Sequence, residues 1–160
     1  MKHFFSFAAL VILAAASCRS NKSFLERSNP DKSLQEAIKK LEKNPGNDDA
    51  LSAIPILYKE ILASHLANIN AARAGAGKNF SQWDNIIGEY EQLQKAYNRI
   101  INSTAAFTLV NPQNFSAELF EAKDSASLHY YNAAITLLEN KNRGELKKAY
   151  NYFEKEDKIT

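Results

Sequence analysis

Cysteine is almost missing from this 160-residue chain: Cys18 stands alone, beside one tryptophan, one methionine, three histidines, four prolines and five glycines. A single cysteine excludes an internal disulfide framework and any zinc site built on paired thiolates. Once the first residues are set aside, only His65 and His129 remain. Neither has a second histidine three or four positions away, so no metal is expected. So few glycines and prolines exclude collagen-like and low-complexity chains. No charge of one sign prevails: twenty basic residues meet eighteen acidic ones for a formal +2. The bases alternate with acids instead of gathering on a stripe, which excludes a nucleic-acid partner. The pairs Lys39-Lys40 and Lys147-Lys148 read as solvated helix faces. A run of about 20 apolar residues, long enough to cross a bilayer, is also missing.

What is present favours helix, with Ala, Leu, Lys, Glu, Gln and Asn abundant. The length suits one domain that hides about 70% of the surface its unfolded chain exposes. Apolar spacing predicts five helices, at 33–43, 47–73, 81–102, 116–140 and 145–157. Ser33 and Glu36 form a capping box ahead of Leu34, Ala37, Ile38 and Leu41. Asn47 caps the second helix, whose stripe runs from Leu51 through Ile54, Leu57, Tyr58, Ile61 and His65 to Ile69, and Pro55 predicts a kink or a restart within it. Ser81 caps the third, with an aromatic face of Trp83, Tyr90 and Tyr97 among isoleucines. After an irregular connector over 103–115, Ser116 caps the fourth, where Leu119, Phe120, Leu128, Tyr131, Ile135 and Leu138 are the expected inward residues. Leu146, Ala149, Tyr150 and Phe153 share one side of the fifth. The expected fold class is all-α: antiparallel helical hairpins, stacked as a repeat array or packed as an irregular bundle.

The first residues have another organisation. Lys2 and His3 precede an apolar run from Phe4 to Ala16 broken only by Ser6, then come Ser17 and Cys18. A positive end, a short apolar stretch and small residues at a cleavage point are the parts of an export signal. Ala15-Ala16-Ser17-Cys18 resembles the lipobox of bacterial lipoproteins, in the loose form of Bacteroidetes, with Ala15 standing where the family usually has Leu. The resemblance covers about the first 18 residues. It implies a signal peptide at 1–17, diacylglycerol on the Cys18 thiol, further acylation such as palmitate, and a lipidated flexible tether at 18–32 reaching about 20 Å from the bilayer. The competing reading is a secretory signal cut after Ala16, leaving Cys18 free. Arg19, standing where an aspartate would retain an inner-membrane lipoprotein, points to an outer membrane and its periplasmic side.

Displacing the second helix by 32 positions lays Ile54 on Ile86, Tyr58 on Tyr90, Ile61 on Leu93, His65 on Tyr97 and Ile69 on Ile101. Trp83-Asp84-Asn85-Ile86-Ile87-Gly88-Glu89-Tyr90 resembles the first half of a tetratricopeptide repeat, and Ala149 with Phe153 resembles the second half. Ile87 departs from the glycine of that pattern, and no full 34-residue unit appears. The resemblance implies stacked helix pairs that bind proteins or peptides. Ala133, Ala134 and Ala149 are small enough to let helix axes approach closely. A plain helical bundle accounts for the same residues, and the chain also reads as the start of a longer repeat protein.

No catalytic constellation is expected, and no cofactor. The turn at Gly75, Gly77 and Lys78 has the glycines of a phosphate loop, but Ala72 replaces its first glycine and Asn79 its magnesium-holding hydroxyl, so it reads as a helix end. The sequence therefore predicts a membrane-anchored envelope lipoprotein whose helical domain, at 33–160, binds a protein or peptide. His129, Tyr130 and Tyr131 are its candidate recognition surface. The alternative is a helical small-molecule carrier or enzyme accessory domain with a pocket lined by Tyr58, His65 and Tyr97.

Overall fold

A computed structural model of the chain describes residues 23–76, 81–139 and 143–159. The expected signal peptide, Cys18, the glycine turn from Gly77 to Asn79 and the predicted helix end at Asn140 lie outside the described residues. The fold is all-α, with no strand among the described residues. After a 3-10 turn at Phe24–Glu26 come α1 (Pro30–Lys43), α2 (Asp48–Ala76), α3 (Ser81–Ile101), the single turn α4 (Thr104–Phe107), α5 (Ser116–Glu139) and α6 (Arg143–Ile159).

Helix α1 begins three residues ahead of its predicted start because Asn29, not Ser33, caps it. The Asn29 side chain accepts the Lys32 N–H at 2.9 Å, and Pro30 at the first helical position has no N–H to leave unpaired. Ser33 is instead buried, while Leu34, Ala37, Ile38 and Leu41 pack inward as their spacing predicts. Asn47 caps α2, accepting the Ala50 N–H at 3.0 Å. No restart occurs at Pro55: α2 continues through it. A proline inside a helix costs about 3 kcal/mol, and burial of Ala53, Ile54, Leu57 and Tyr58 around it offsets that cost.

Helices α1, α2 and α3 pack as successive hairpins, and the first residues matched by the displacement of 32 positions share the same burial. Ile54 and Ile86, Tyr58 and Tyr90, and Ile61 and Leu93 are each buried as pairs. The match ends at the last pair, where Ile69 is buried and Ile101 is exposed. The connector then crosses back over this layer and is held by two hydrogen bonds. The Gln113 N–H donates to the Tyr58 hydroxyl at 2.8 Å, and the Phe115 N–H to Gln94 Oε1 at 2.9 Å. Phe115 itself is buried, its ring centroid 6.2 Å from that of Tyr90. Helix α5 returns antiparallel along α3, and α6 folds back along α5. The main core runs continuously from Phe24 to Ala126. Beyond it, in the second half of the α5–α6 hairpin, Tyr130, Ala134 and Ala149 are the buried apolar residues.

Candidate functional site

The α5–α6 hairpin is thin because its inner face is made of small residues. Ala122, Ala126, Tyr130 and Ala134 line the buried side of α5, and Ala149 meets them from α6. Three contacts set the register: Ser127 Oγ donates to Glu156 at 2.9 Å, the Tyr130 and Tyr152 rings lie 5.7 Å apart, and those of Tyr131 and Phe153 lie 5.8 Å apart. Tyr130 also ties the hairpin to α3. Its hydroxyl donates to Asp84 at 2.9 Å, and Lys155 reaches the same carboxylate at 2.6 Å. Burial holds the Tyr130 phenol above its ordinary value, and the Asp84 bond adds to this. Lys155 is also raised, first by its bond to Asp84.

Large apolar side chains lie on the other side. Phe120, Leu128, Tyr131, Ile135 and Leu138, expected to point inward, stand 37% to 72% exposed on α5, and Leu146 and Tyr150 join them on α6. They supply seven of the eleven exposed large apolar residues among those described, so this face is the main apolar patch among the described residues. The expectation that they form the core is corrected by the structure. The inner face of the hairpin is filled by Ala122, Ala126, Tyr130, Ala134 and Ala149, and this second row stays outside.

The three expected recognition residues separate accordingly. Tyr131 lies on the apolar face, Tyr130 is core, and His129 points the other way, stacking on Trp83 at 5.3 Å. The three expected pocket residues each have their own surroundings. Tyr58 is buried and holds the connector, and burial raises its phenol while the Gln113 bond opposes the shift. Tyr97 is half-buried on α3. His65 is a junction of three helices: Nδ1 meets Glu89 of α3, and Nε2 lies 3.2 Å from Asp31 of α1. Asn68 bonds the same Glu89, and Arg99 bonds the Asp31 carbonyl. Every polar atom of His65 is engaged in joining helices.

A cleft that no sequence pattern singled out opens where the end of α2, the start of α3 and the first half of α5 converge. Its volume is about 360 Å³, and Arg73, Ala76, Trp83, Glu121, Ala122 and Ser125 line it. The Trp83 indole nitrogen is buried without a hydrogen-bond partner. Such a group costs about 1–3 kcal/mol when left unpaired. Its residues come from three helices far apart in the chain, which is why spacing within any one helix gave no signal.

These features define an all-α helical protein with an outward apolar hairpin face and a polar cleft. Among the described residues there is no cluster suited to a metal ion and no helix long and apolar enough to cross a membrane. No protein-family model, curated protein or solved structure matches the chain.

Proposed function

We propose that the protein is a lipid-anchored component of a bacterial envelope, tethered through Cys18 on the periplasmic side of an outer membrane, that docks an amphipathic helix of a partner protein on its α5–α6 face. The observation that carries this reading is the unburied stripe. Leu128, Tyr131, Ile135 and Leu138 recur at the three- and four-residue spacing of a buried helix face, yet they remain exposed. Leu146 and Tyr150 form a second row on α6. Two apolar rows on adjacent helices, with the Tyr131–Phe153 pair between them, are the form of a groove that receives a third helix. Asp124 lies among the stripe residues, and Glu139 and Lys147 border it. A helix lying on a bilayer carries a continuous basic border instead, so a protein occupant fits this face better than lipid. The reading assigns the chain no catalytic role.

The test uses a photo-crosslinking residue at Tyr150 in the full chain in its native cell. A discrete product with another membrane-fraction protein is expected, lost with Ile135→Asp while the circular dichroism spectrum is unchanged. Labelled palmitate should enter the chain and be lost with Cys18→Ala. A product that survives Ile135→Asp refutes the docking face, and palmitate retained in the cysteine variant refutes the anchor.

A further inference from the structure

We infer that the cleft between α2, α3 and α5 binds a small zwitterion of the α-amino-acid class. This site is separate from the hairpin face and does not depend on the docking reading. Its lining brings together three polar groups with unused bonding capacity, Arg73, Glu121 and Ser125. The Arg73 guanidinium is held at one edge, donating through Nη2 to the Tyr90 hydroxyl at 3.0 Å with its carbon 6.0 Å from that ring. A guanidinium has five N–H donors, so most of them remain for a ligand. The Trp83 side chain contributes a wall of the cleft, while its indole nitrogen is closed off from solvent. Glu121 lies on the same cleft, forms no ion pair with Arg73 or any other described base, and retains its full acceptor capacity. The Ser125 hydroxyl completes the polar lining.

The charges decide the ligand class. A simple anion attracted by Arg73 meets repulsion from Glu121, and a simple cation meets the reverse. A molecule carrying a carboxylate and an ammonium on one carbon satisfies both sides. Its carboxylate takes Arg73, and its ammonium takes Glu121 and the Ser125 oxygen. Ala76, Ala122 and the indole ring leave an apolar wall for a side chain, and the volume of about 360 Å³ falls within the range of small-molecule sites.

Trp83 is the only tryptophan in the chain, so its emission reports the site directly. The full chain is titrated with glycine, L-leucine, L-glutamate and L-arginine up to about 10 mM, a range suited to ligands with so few atoms. Sodium acetate, methylammonium and the N-acetyl and amide derivatives serve as single-charge controls. At least one free amino acid should give a saturable change, and blocking either of its charges should weaken binding about tenfold or more, as loss of a charge-assisted bond does. Glu121→Gln should weaken it by a similar factor, while Lys123→Gln leaves it unchanged. No saturable response to any of the four, confirmed by calorimetry, overturns the proposal. Equal binding of acetate or of the N-acetyl derivative also overturns it.

Discussion

Two adjacent alanines on α5 provide a sharp test of how the hairpin is packed. Ala134 is fully buried on the inner face, at the level where Ala149 of α6 is also fully buried. Ala133, one position earlier, lines an open cleft of about 350 Å³ with Thr136, Leu137, Lys148 and Tyr152. Leucine adds three carbons at either site. At Ala134 they have no room, and overpacking of this kind costs about 1–3 kcal/mol. At Ala133 they enter the cleft, where partial burial at about 0.8 kcal/mol per methylene gives a gain of about 1 kcal/mol. The two single variants should therefore differ by about 2–4 kcal/mol. For a domain of this size that separates their melting midpoints by about 10 °C. Thermal melts by circular dichroism measure the gap, and hydrogen exchange should show faster α6 amides in Ala134→Leu alone. Equal destabilisation by both leucines, or the reverse order, would falsify the close approach of α5 and α6.

Three further outcomes follow from particular contacts. Tyr58→Phe removes the acceptor of the Gln113 N–H, should cost about 1 kcal/mol, and should accelerate exchange of that amide; an unchanged exchange rate would contradict the anchoring role. The phenols of Tyr58 and Tyr130 are both held above 10.0 in the folded chain, so the folded state favours their neutral forms. Their contribution is therefore complete below pH 10 and is lost as pH rises through the higher folded values. Urea midpoints should fall as pH rises above 10 and fall less in the double Tyr→Phe variant; a midpoint unchanged above pH 10 refutes the burial of both hydroxyls. His65→Ala leaves the Asp31 and Glu89 carboxylates facing each other's helices without their shared partner, and should lower stability by about 1–3 kcal/mol at neutral pH. A loss within 0.3 kcal/mol of zero, taken as roughly the scatter of a surface substitution, would show that the junction contributes nothing.

The first three helices were legible in the sequence because leucine and isoleucine mark their buried faces. Leu34, Ile38, Ile54, Ile61, Ile86 and Leu93 all go where their spacing sends them. The all-α class follows from that periodicity. The C-terminal hairpin was harder to read because its buried face is written in Ala122, Ala126, Ala134 and Ala149, residues with little hydropathy to detect. The stronger apolar signal of Phe120, Leu128 and Ile135 belongs to the opposite face. Apolar spacing marks a helix face without marking whether anything covers it. The polar groups were illegible for another reason. His65 meets Asp31 and Glu89 across 34 and 24 positions, and Arg73 shares a cleft with Glu121, relations that only tertiary structure creates.

The His65 junction also determines how the body would bear mechanical load. A pull applied at Ser23 first meets the buried Phe24 ring and the Arg27–Glu36 pair, then the first turn of α1, where Asp31 is clasped by His65 and Arg99. Through His65 and Arg99 the first turn of α1 is tied to α2 and α3 together, so a load on α1 is passed to both neighbours. The apolar hairpin face lies on separate helices, outside that line of force.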